Sequence, residues 1–525
     1  MDNNASTSSN RHPGYYSIGF WMLFTALVGM RLFFFHSVID EPHSWRQYDT
    51  LQYIRGLAFY DFDLFNPVVA WMGGHKVQIL EFPLPEAITA VFYKLFGENL
   101  IWARLTTLLF FVGSALYLRG IIRRLQNKEL ADIATLIFMA LPLGIPYSRA
   151  IHIDPAALFL AHAACYHAMK GIAIKSHKNL IFSSLMAILA AMVKVPYLFY
   201  LALPLGYYLA KRGNIKQEWN FMAYAIPPVL ALILWTWHTK QVNASAPDWD
   251  FIPGYHKFVD MSKWYFGPLY IRWDVNLWMV LAERLRWEIL GGTISLLIWL
   301  ATFLLDKKTK GLAFFRIWTL GCAMYLVIFF PLNVIHNYYQ LPFLVPAAIF
   351  LGAAVVRAGQ WAGKWNQVLK GMVYATGVII FSVHSLRLIQ GKHQDEPLKS
   401  AFGQYFKVNP AFSAFGDAVR NHVPEGDLMI ASYGGLDCRA PHLLVEAQRF
   451  GWNIPTPELN AVLVDKLIQA GALHLAVMDK PNAGKPFQKD FDASYELETV
   501  RIPAQNELPE KEVRIYHLSR PAHSR

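Results

Sequence analysis

Acidic, basic and aromatic side chains crowd into one short stretch of this 525-residue chain. Asp40, Glu41, His43, Arg46 and Asp49 fall within ten residues, directly after an apolar run. A carboxylate can act as a general base, and an arginine beside it can bind an anion such as a phosphate. The stretch therefore predicts proton abstraction next to an anionic group, with Asp49, Asp40 and Glu41 as alternative bases. The alternative is that these acids cap a helix and solvate a loop.

Charged residues recur at the ends of later apolar runs. Asp154 precedes Pro155 where such a run begins, so it either caps a helix or faces the acidic stretch. Arg104, Arg149 and Lys194 lie at run ends that we predict on the same side of a membrane. Charges at that depth line a cavity or extend to the interface. An anionic ligand would account for all three.

A short polar and aromatic segment, residues 336–342, is predicted at the same level. It contains His336, Tyr338 and Tyr339, which could contact a substrate or form part of an aromatic belt. The histidines of the chain lack metal-ligand spacing, and no nucleotide-binding or zinc-protease motif occurs. We therefore expect no cofactor. The acidic residues of the first loop could bind a divalent metal, although nothing in the sequence requires one.

The composition is that of a membrane protein, with 54% hydrophobic and 16% charged residues. We predict about eleven transmembrane helices in an α-helical polytopic fold. They are 16–35, 100–118, 131–147, 152–169, 179–195, 196–210, 219–238, 288–305, 312–331, 341–356 and 367–386.

The formal charge of +11 is concentrated in alternate connections. Residues 119–129, 170–178, 211–218, 306–310 and 357–370 hold sixteen Lys and Arg against three Asp and Glu. This places them in the cytoplasm, together with the N-terminus, and it argues against nucleic acid as a partner. We expect a multi-pass protein of the inner membrane whose partners include the lipid bilayer.

Two domains are predicted. Residues 1–386 form the transmembrane domain, with an extracytoplasmic loop, 36–99, that carries an amphipathic surface helix. That helix follows from the spacing of Leu51, Ile54, Leu57 and Ala58, with Asp49 near its start. Residues 387–525 form an extracytoplasmic (periplasmic) α/β domain, with strands predicted near 428–432, 475–478 and 513–516.

The order of these features resembles the GT-C fold glycosyltransferases, in particular the protein O-mannosyltransferases and the lipid A aminoarabinose transferases. Three segments carry the resemblance: Trp45-Arg46-Gln47-Tyr48-Asp49-Thr50, followed by Leu51-Gln52-Tyr53-Ile54; the acid Asp154; and His336-Asn337-Tyr338-Tyr339-Gln340-Leu341-Pro342. The family's K-P-P-L segment is Glu81-Phe82-Pro83-Leu84 here, so its lysine is missing. The likeness covers most of residues 16–360.

The resemblance implies transfer of a sugar from a polyprenyl-phosphate donor to a glycan, lipid or protein acceptor on the extracytoplasmic face, with inversion. It makes Asp49 the base, and Asp154 or Glu41 would orient the acceptor or the base. The pair Asp40-Glu41 is an alternative match to the acidic position of the family pattern. The implied donor-phosphate ligands are Arg46, Arg104, Arg149 and Lys194. The implied substrate-binding residues are His43, Tyr53, Glu81, His336, Tyr338 and Tyr339.

Two other functions fit parts of the pattern. A transporter or flippase for lipid-linked sugars would explain charges within spans, but it predicts charges near span centres and inverted repeats. A polymer ligase with a diphosphate-linked donor would more commonly have its long loop late in the chain.

Overall fold

The computed structural model describes residues 13–33, 35, 38–212, 222–306, 311–390, 405–480, 486–504 and 508–521. Up to residue 390 the chain is mainly helical. In chain order these helices are α1 (Pro13–Leu32), α2 (Ser44–Arg55), α3 (Leu84–Phe96), α4 (Leu100–Leu125), α5 (Lys128–Ala140), α6 (Gly144–Tyr147), α7 (Asp154–Ile174), α8 (His177–Lys194), α9 (Pro196–Phe199), α10 (Ala202–Lys211), α11 (Ile226–Ala244), α12 (Ser262–Phe266), α13 (Val275–Glu283), α14 (Thr293–Leu305), α15 (Leu312–Ile328), α16 (Phe330–Ile335), α17 (Leu344–Gly363) and α18 (Gln367–Ile389).

Every predicted span coincides with helix over most of its described residues, although four of them are interrupted. The span 131–147 divides into α5 and α6, 196–210 into α9 and α10, and 312–331 into α15 and α16, and 288–305 is broken at residues 290–292. Within the described residues, four helical segments are long and apolar enough to cross a membrane: Leu100–Leu125, Asp154–Ile174, Asn337–Gly363 and Gln367–Ile389. A fifth, bent by 95°, joins Val275–Ile289 to Thr293–Leu305. The count of eleven spans stays a prediction.

Helix α5 lies at the centre of the helical part. Its residues from Leu130 to Ala140 are all buried, and it packs against α1, α4, α17 and α18. Lipid is as apolar as the surface of a membrane helix, so apolar surface alone does not drive two helices together. They associate through close packing, which small residues allow. A Cβ added at Gly352 of α17 would meet Ala134 of α5 at 3.0 Å.

Contacts between connections divide the helix ends into two sets. At one end, the predicted basic connections touch each other through the ion pairs Lys370–Glu129 and Arg357–Asp306. At the other end lie the first outer loop, the start of α7 and the end of α8. The structure thus groups the helix ends as the charge pattern predicts.

The C-terminal part is an α/β unit. Its helices are α19 (Pro410–His422), α20 (His442–Ala447), α21 (Ala461–Gln469) and α22 (Pro486–Ser494), and its strands are β3 (Met429–Tyr433), β4 (Gly451–Asn453), β5 (His474–Asp479), β6 (Tyr495–Ile502) and β7 (Lys511–Pro521). The strand order is β4-β3-β5-β7-β6. Strands β4, β3 and β5 run parallel, and β7 is antiparallel to both β5 and β6. The three predicted strands are confirmed, and β4 and β6 are additional.

The first outer loop also holds a two-stranded ribbon, β1 (Val68–Val69) and β2 (Lys76–Val77). This loop and the α/β unit share one apolar core, in which Leu51 and Ile54 of α2 are buried with Phe415 of α19 and Ile515 of β7. The backbones also pair directly, because Gly73 donates to Gly451 and Gly451 donates to Ala70.

Helix α2 is therefore not the amphipathic surface helix that the spacing predicts. Residues 47–54 are buried on every side of it, because the α/β unit and α3 cover the faces that solvent or lipid would otherwise contact. The predicted domain start at 387 stays a prediction. Helix α18 continues to Ile389, residues 391–404 lie outside the described residues, and Phe406 and Lys407 already pair with Glu41 of the loop through their backbones.

Candidate active site

Helix α2 presents the predicted base. Glu41 fixes the start of this helix, because its carboxylate accepts hydrogen bonds from the Ser44 backbone N–H at 3.0 Å and the Ser44 hydroxyl at 2.6 Å. Glu41 thus acts as a helix cap, as the structural alternative for these acids predicts. Asp49 lies in the second turn rather than near the start, so the favourable effect of a helix N-terminus does not explain its position.

Asp49 is buried, with 8% of its surface exposed. Gln52 donates a hydrogen bond to it at 3.1 Å, and Arg46 lies 3.9 Å away. Burial raises the pKa of Asp49 to about 7, even though Arg46 opposes that change. A carboxylate with a pKa near neutrality is well suited to accept a proton at physiological pH.

Arg46 joins the base to a second carboxylate. It donates to Glu81 at 2.7 Å, so the predicted substrate-binding Glu81 lies in the same cluster as Asp49. A third carboxylate, Glu86 of α3, is almost fully buried nearby, and burial raises its pKa to about 8. The sequence analysis missed Glu86; an acid in the first turn of the mainly apolar helix 84–96 was the available signal.

A second cation lies at the outer end of α8. Lys194 donates to Asp154 at 2.7 Å, and Tyr197 donates to the other oxygen of Asp154 at 2.7 Å. The ammonium group also lies over the rings of Tyr338 and Tyr339, at 4.7 and 4.2 Å from the ring centres. Asp154 therefore holds Lys194 rather than capping α7.

The two cations belong to one site. Arg46 interacts electrostatically with Tyr338, and Lys194 does so with Glu81. Arg46, Glu81, Lys194 and the tyrosine pair thus surround one region at the outer helix ends, next to Asp49.

Arg104 and Arg149 are engaged elsewhere. Both guanidinium groups are fully buried against Asp40, with the Arg104–Asp40 contact at 3.2 Å. Arg104 also donates to the Val38 carbonyl at 2.6 Å, and Arg149 lies over the Phe406 ring. The prediction that these residues form a free anion site, and that Asp40 is a free base, does not match this arrangement. The three residues hold the start of the first loop in place.

His43 and His336 meet at a network centred on Asn337. His43 contacts Asn337 at 3.2 Å, and its ring packs edge-on against His336 and Tyr338. Burial lowers the pKa of His43, which favours the neutral ring. The sequence analysis missed the other partners of Asn337, which are Tyr147, Glu288 and Tyr405.

Tyr53 lies beside the Asp49 cluster, because its hydroxyl interacts electrostatically with Asp49, Glu81 and Arg46. That group donates to the Gln78 carbonyl at 2.9 Å, and the ring is buried in the loop core. Within the described ranges, no group of three or more His, Cys, Asp or Glu side chains is arranged to hold a metal ion.

Comparison with known proteins identifies the fold that carries this site. A family model described as dolichyl-phosphate-mannose-protein mannosyltransferase matches residues 81–237. The structure of ArnT from Cupriavidus metallidurans bound to undecaprenyl phosphate superposes with a TM-score of 0.58 at 12% identity, over 95% of this chain and 98% of that chain. This chain has the GT-C glycosyltransferase fold.

Two further solved structures have a similar fold. The Archaeoglobus fulgidus oligosaccharyltransferase complex with Zn and sulfate has a TM-score of 0.55 at 10% identity, over 87% of this chain and 67% of that chain. Arabinofuranosyltransferase AftD from Mycobacteria has a TM-score of 0.51 at 15% identity, over 96% of this chain and 40% of its own. A comparison with curated protein sequences finds no match. In this fold, the Asp49 cluster lies where the first outer loop meets the helix ends.

Proposed function

We propose that this protein is an integral-membrane glycosyltransferase that uses a polyprenyl-phosphate-linked sugar as donor and Asp49 as general base. The observation that carries the proposal is a buried carboxylate with a pKa near 7 beside Arg46, at the outer ends of the helices. The GT-C fold supports the reaction class, and the undecaprenyl phosphate bound by ArnT supports the donor class.

The proposed step is a single displacement. Asp49 takes the proton of the acceptor hydroxyl or amine while the acceptor atom forms a bond to the anomeric carbon. The bond between that carbon and the phosphate oxygen breaks, and the electron pair stays on the polyprenyl phosphate. The anomeric configuration is inverted, and no general acid is needed because the phosphate is a good leaving group.

The departing phosphate needs positive charge, which is worth most in a site that excludes water. Arg46 and Lys194 are the candidates because they lie in the Asp49 cluster, where Glu81 and Asp154 hold them, whereas Arg104 and Arg149 are buried against Asp40 at the start of the loop. Asp154 then serves to position Lys194. The site faces the extracytoplasmic side of the inner membrane if the basic connections are cytoplasmic.

The test is transfer by purified full-length protein from a panel of polyprenyl-monophosphate sugars, with polyprenyl-diphosphate sugars in parallel. We expect wild-type transfer from a monophosphate donor and a loss of roughly 10²–10⁴-fold in Asp49→Asn, the usual contribution of a positioned base. The matched control is Asp61→Asn, an exposed acid of the same loop, which should keep wild-type activity.

Three outcomes would redirect the proposal. Full activity in Asp49→Asn would remove Asp49 as the base. Turnover only from the diphosphate donor would favour the polymer ligase. Binding of every donor without turnover, together with movement of the lipid across vesicles, would favour a flippase.

A further inference from the structure

Helix α2 carries an exposed aromatic side chain beside the buried base. Trp45 precedes Asp49 by four residues, so the two side chains lie on the same face of the helix. Trp45 is 38% exposed, whereas Asp49 is 8% exposed. The indole also packs edge-on against His442 of α20, with ring centres 6.0 Å apart. Trp45 therefore lies between the base and the α/β unit.

The loop after strand β3 supplies the other wall. Asp437 accepts two hydrogen bonds from the Arg439 guanidinium, each at 2.9 Å. His256, from the second outer loop (the connection between α11 and α12), contacts the same guanidinium at 2.9 Å. Both Asp437 and Arg439 are partly exposed. Polar side chains thus converge from two separate segments of the chain.

This loop faces the base. Arg439 and Asp49 interact electrostatically, and Gly254 of the second outer loop packs near Asp437 and Cys438. Strand β3 is parallel to both of its neighbours, and ligands of open α/β sheets bind outside the carboxyl ends of parallel strands. Arg439 lies just beyond that end.

The two sides of Asp49 therefore differ. Arg46, Lys194 and Tyr338 surround the membrane side, where a lipid phosphate would lie. Trp45 and Arg439 form the side next to the α/β unit. A donor held by the first set leaves the second set for the acceptor.

We propose that Trp45, Asp437 and Arg439 form an acceptor subsite that binds a carbohydrate ring. That the bound sugar is the acceptor rests on the proposed function, whereas the binding of a sugar ring at these residues is independent of it. The geometry points to a glycan among the acceptor classes, because the three side chains offer an apolar face, a hydrogen-bond acceptor and a hydrogen-bond donor together.

The chemistry of Arg439 favours a neutral ligand. A guanidinium has five N–H groups, and the contacts with Asp437 and His256 use three of them. The remaining two can donate to sugar hydroxyls. Because Asp437 neutralises the positive charge, an anionic acceptor gains little here. The ring would stack on the indole, which presents a large, rigid apolar face.

Binding can be tested without turnover. Full-length protein in lipid nanodiscs, free of sugar-headed detergent, is examined by saturation-transfer difference NMR with methyl glycosides of glucose, galactose, mannose and N-acetylglucosamine. A Ser/Thr peptide is the comparison probe. We expect at least one glycoside signal in wild type, reduced about fivefold or more in Trp45→Ala and in Arg439→Gln. Trp45→Phe, which keeps a smaller ring, should lose less.

One variant serves as the control for this measurement. Trp361→Ala removes an exposed tryptophan from the opposite end of the helices and should keep the signal. A signal that survives in both Trp45→Ala and Arg439→Gln overturns the proposal, and so does a wild type that gives no glycoside signal. A signal from the peptide alone overturns the glycan assignment.

Kinetics then separate a binding role from a structural one. In the transfer assay, Trp45→Ala should raise the acceptor KM about tenfold and change the donor KM less than twofold. An equal rise in both would contradict the subsite. Glycoside binding at Trp45 without any turnover would leave the subsite standing and remove the proposed function, whereas turnover that needs Asp49 but not Trp45 would do the reverse.

Discussion

At the residue scale, the acids of the outer face differ in what surrounds each carboxylate. Asp40 is paired with two buried arginines, Glu41 caps a helix, and Asp154 holds Lys194. Asp49 is buried with one arginine at 3.9 Å, too far for a strong hydrogen bond. Burial with weak pairing raises a carboxyl pKa, and close pairing opposes that rise. This difference distinguishes Asp49, the proposed base, from its neighbours.

The pKa of Asp49 predicts the pH dependence of transfer. Because the pKa is about 7, the basic form is lost below neutrality, and kcat/KM should fall about tenfold per pH unit below about pH 6 and level off above about pH 8. Arg46 lowers this pKa, so Arg46→Gln should shift the midpoint to higher pH, whatever it does to the maximal rate. The groups facing Asp49 are Arg46, Glu81, Arg439, Tyr53 and Tyr338. A midpoint that stays unchanged in Arg46→Gln would contradict the assignment.

Glu86 predicts a pH dependence of stability. Its pKa rises from an ordinary value of 4.5 to about 8 because it is buried, so the free energy of unfolding should decrease as the pH rises between these values. Glu86→Gln removes the group that must ionise, and should stabilise the protein at pH 9 by roughly 1–3 kcal/mol relative to wild type. Thermal unfolding at pH 5, 7 and 9 measures this. Glu425→Gln, a change at an exposed acid, should keep the wild-type pH dependence and differ from wild type by a similar amount at all three pH values.

At the element scale, α2 acts through what holds it in place. Its start is tied to the helical part through Asp40, and its sides are tied to the α/β unit through Tyr48 and Arg55, which donate to Glu446 and to the Val445 carbonyl. A helix clamped at both places keeps its side chains within the small tolerance that catalysis requires.

Asp40→Asn should therefore act on stability. Removing the carboxylate leaves Arg104 and Arg149 without their shared counter-charge in a fully buried place, which typically costs about 3–5 kcal/mol. We expect a lower thermal midpoint and less folded protein, with substantial activity in the fraction that folds. Asp49→Asn should show the opposite pattern, with normal folding and no transfer. If Asp40→Asn folds normally but is inactive, Asp40 belongs to the chemistry.

Sequence predicted which segments are helices, which strands are central and where charged residues gather, because these follow from local periodicity and from the cost of charge in a membrane. It did not predict partners. Arg104, Arg149 and Lys194 look alike as basic residues at span ends, yet only Lys194 joins the cluster around Asp49. Partner choice depends on helix rotation and packing across long sequence separations. The burial of α2 was missed for the same reason, since the residues that cover it lie about 400 positions later.

At the scale of the whole molecule, two chemically different ends follow from one arrangement of helices. One end carries Glu129–Lys370, Asp306–Arg357 and an excess of basic residues, and the other carries the Asp49 cluster under the α/β unit. The basic end should face the cytoplasm. A donor lipid in the outer leaflet could then reach Lys194 laterally while the acceptor approaches Trp45 from the aqueous side.

Single cysteines can test this orientation. The native residues Cys165, Cys322 and Cys438 are free but buried, so the labelling background should be low. Val462 of α21 is 67% exposed and Trp365, at the basic end, is 77% exposed. A membrane-impermeant maleimide added to intact spheroplasts should label Val462→Cys at once, and Trp365→Cys only after the membrane is permeabilised. The reverse pattern would put the Asp49 cluster in the cytoplasm, where a lipid donor would have to be presented by the inner leaflet instead.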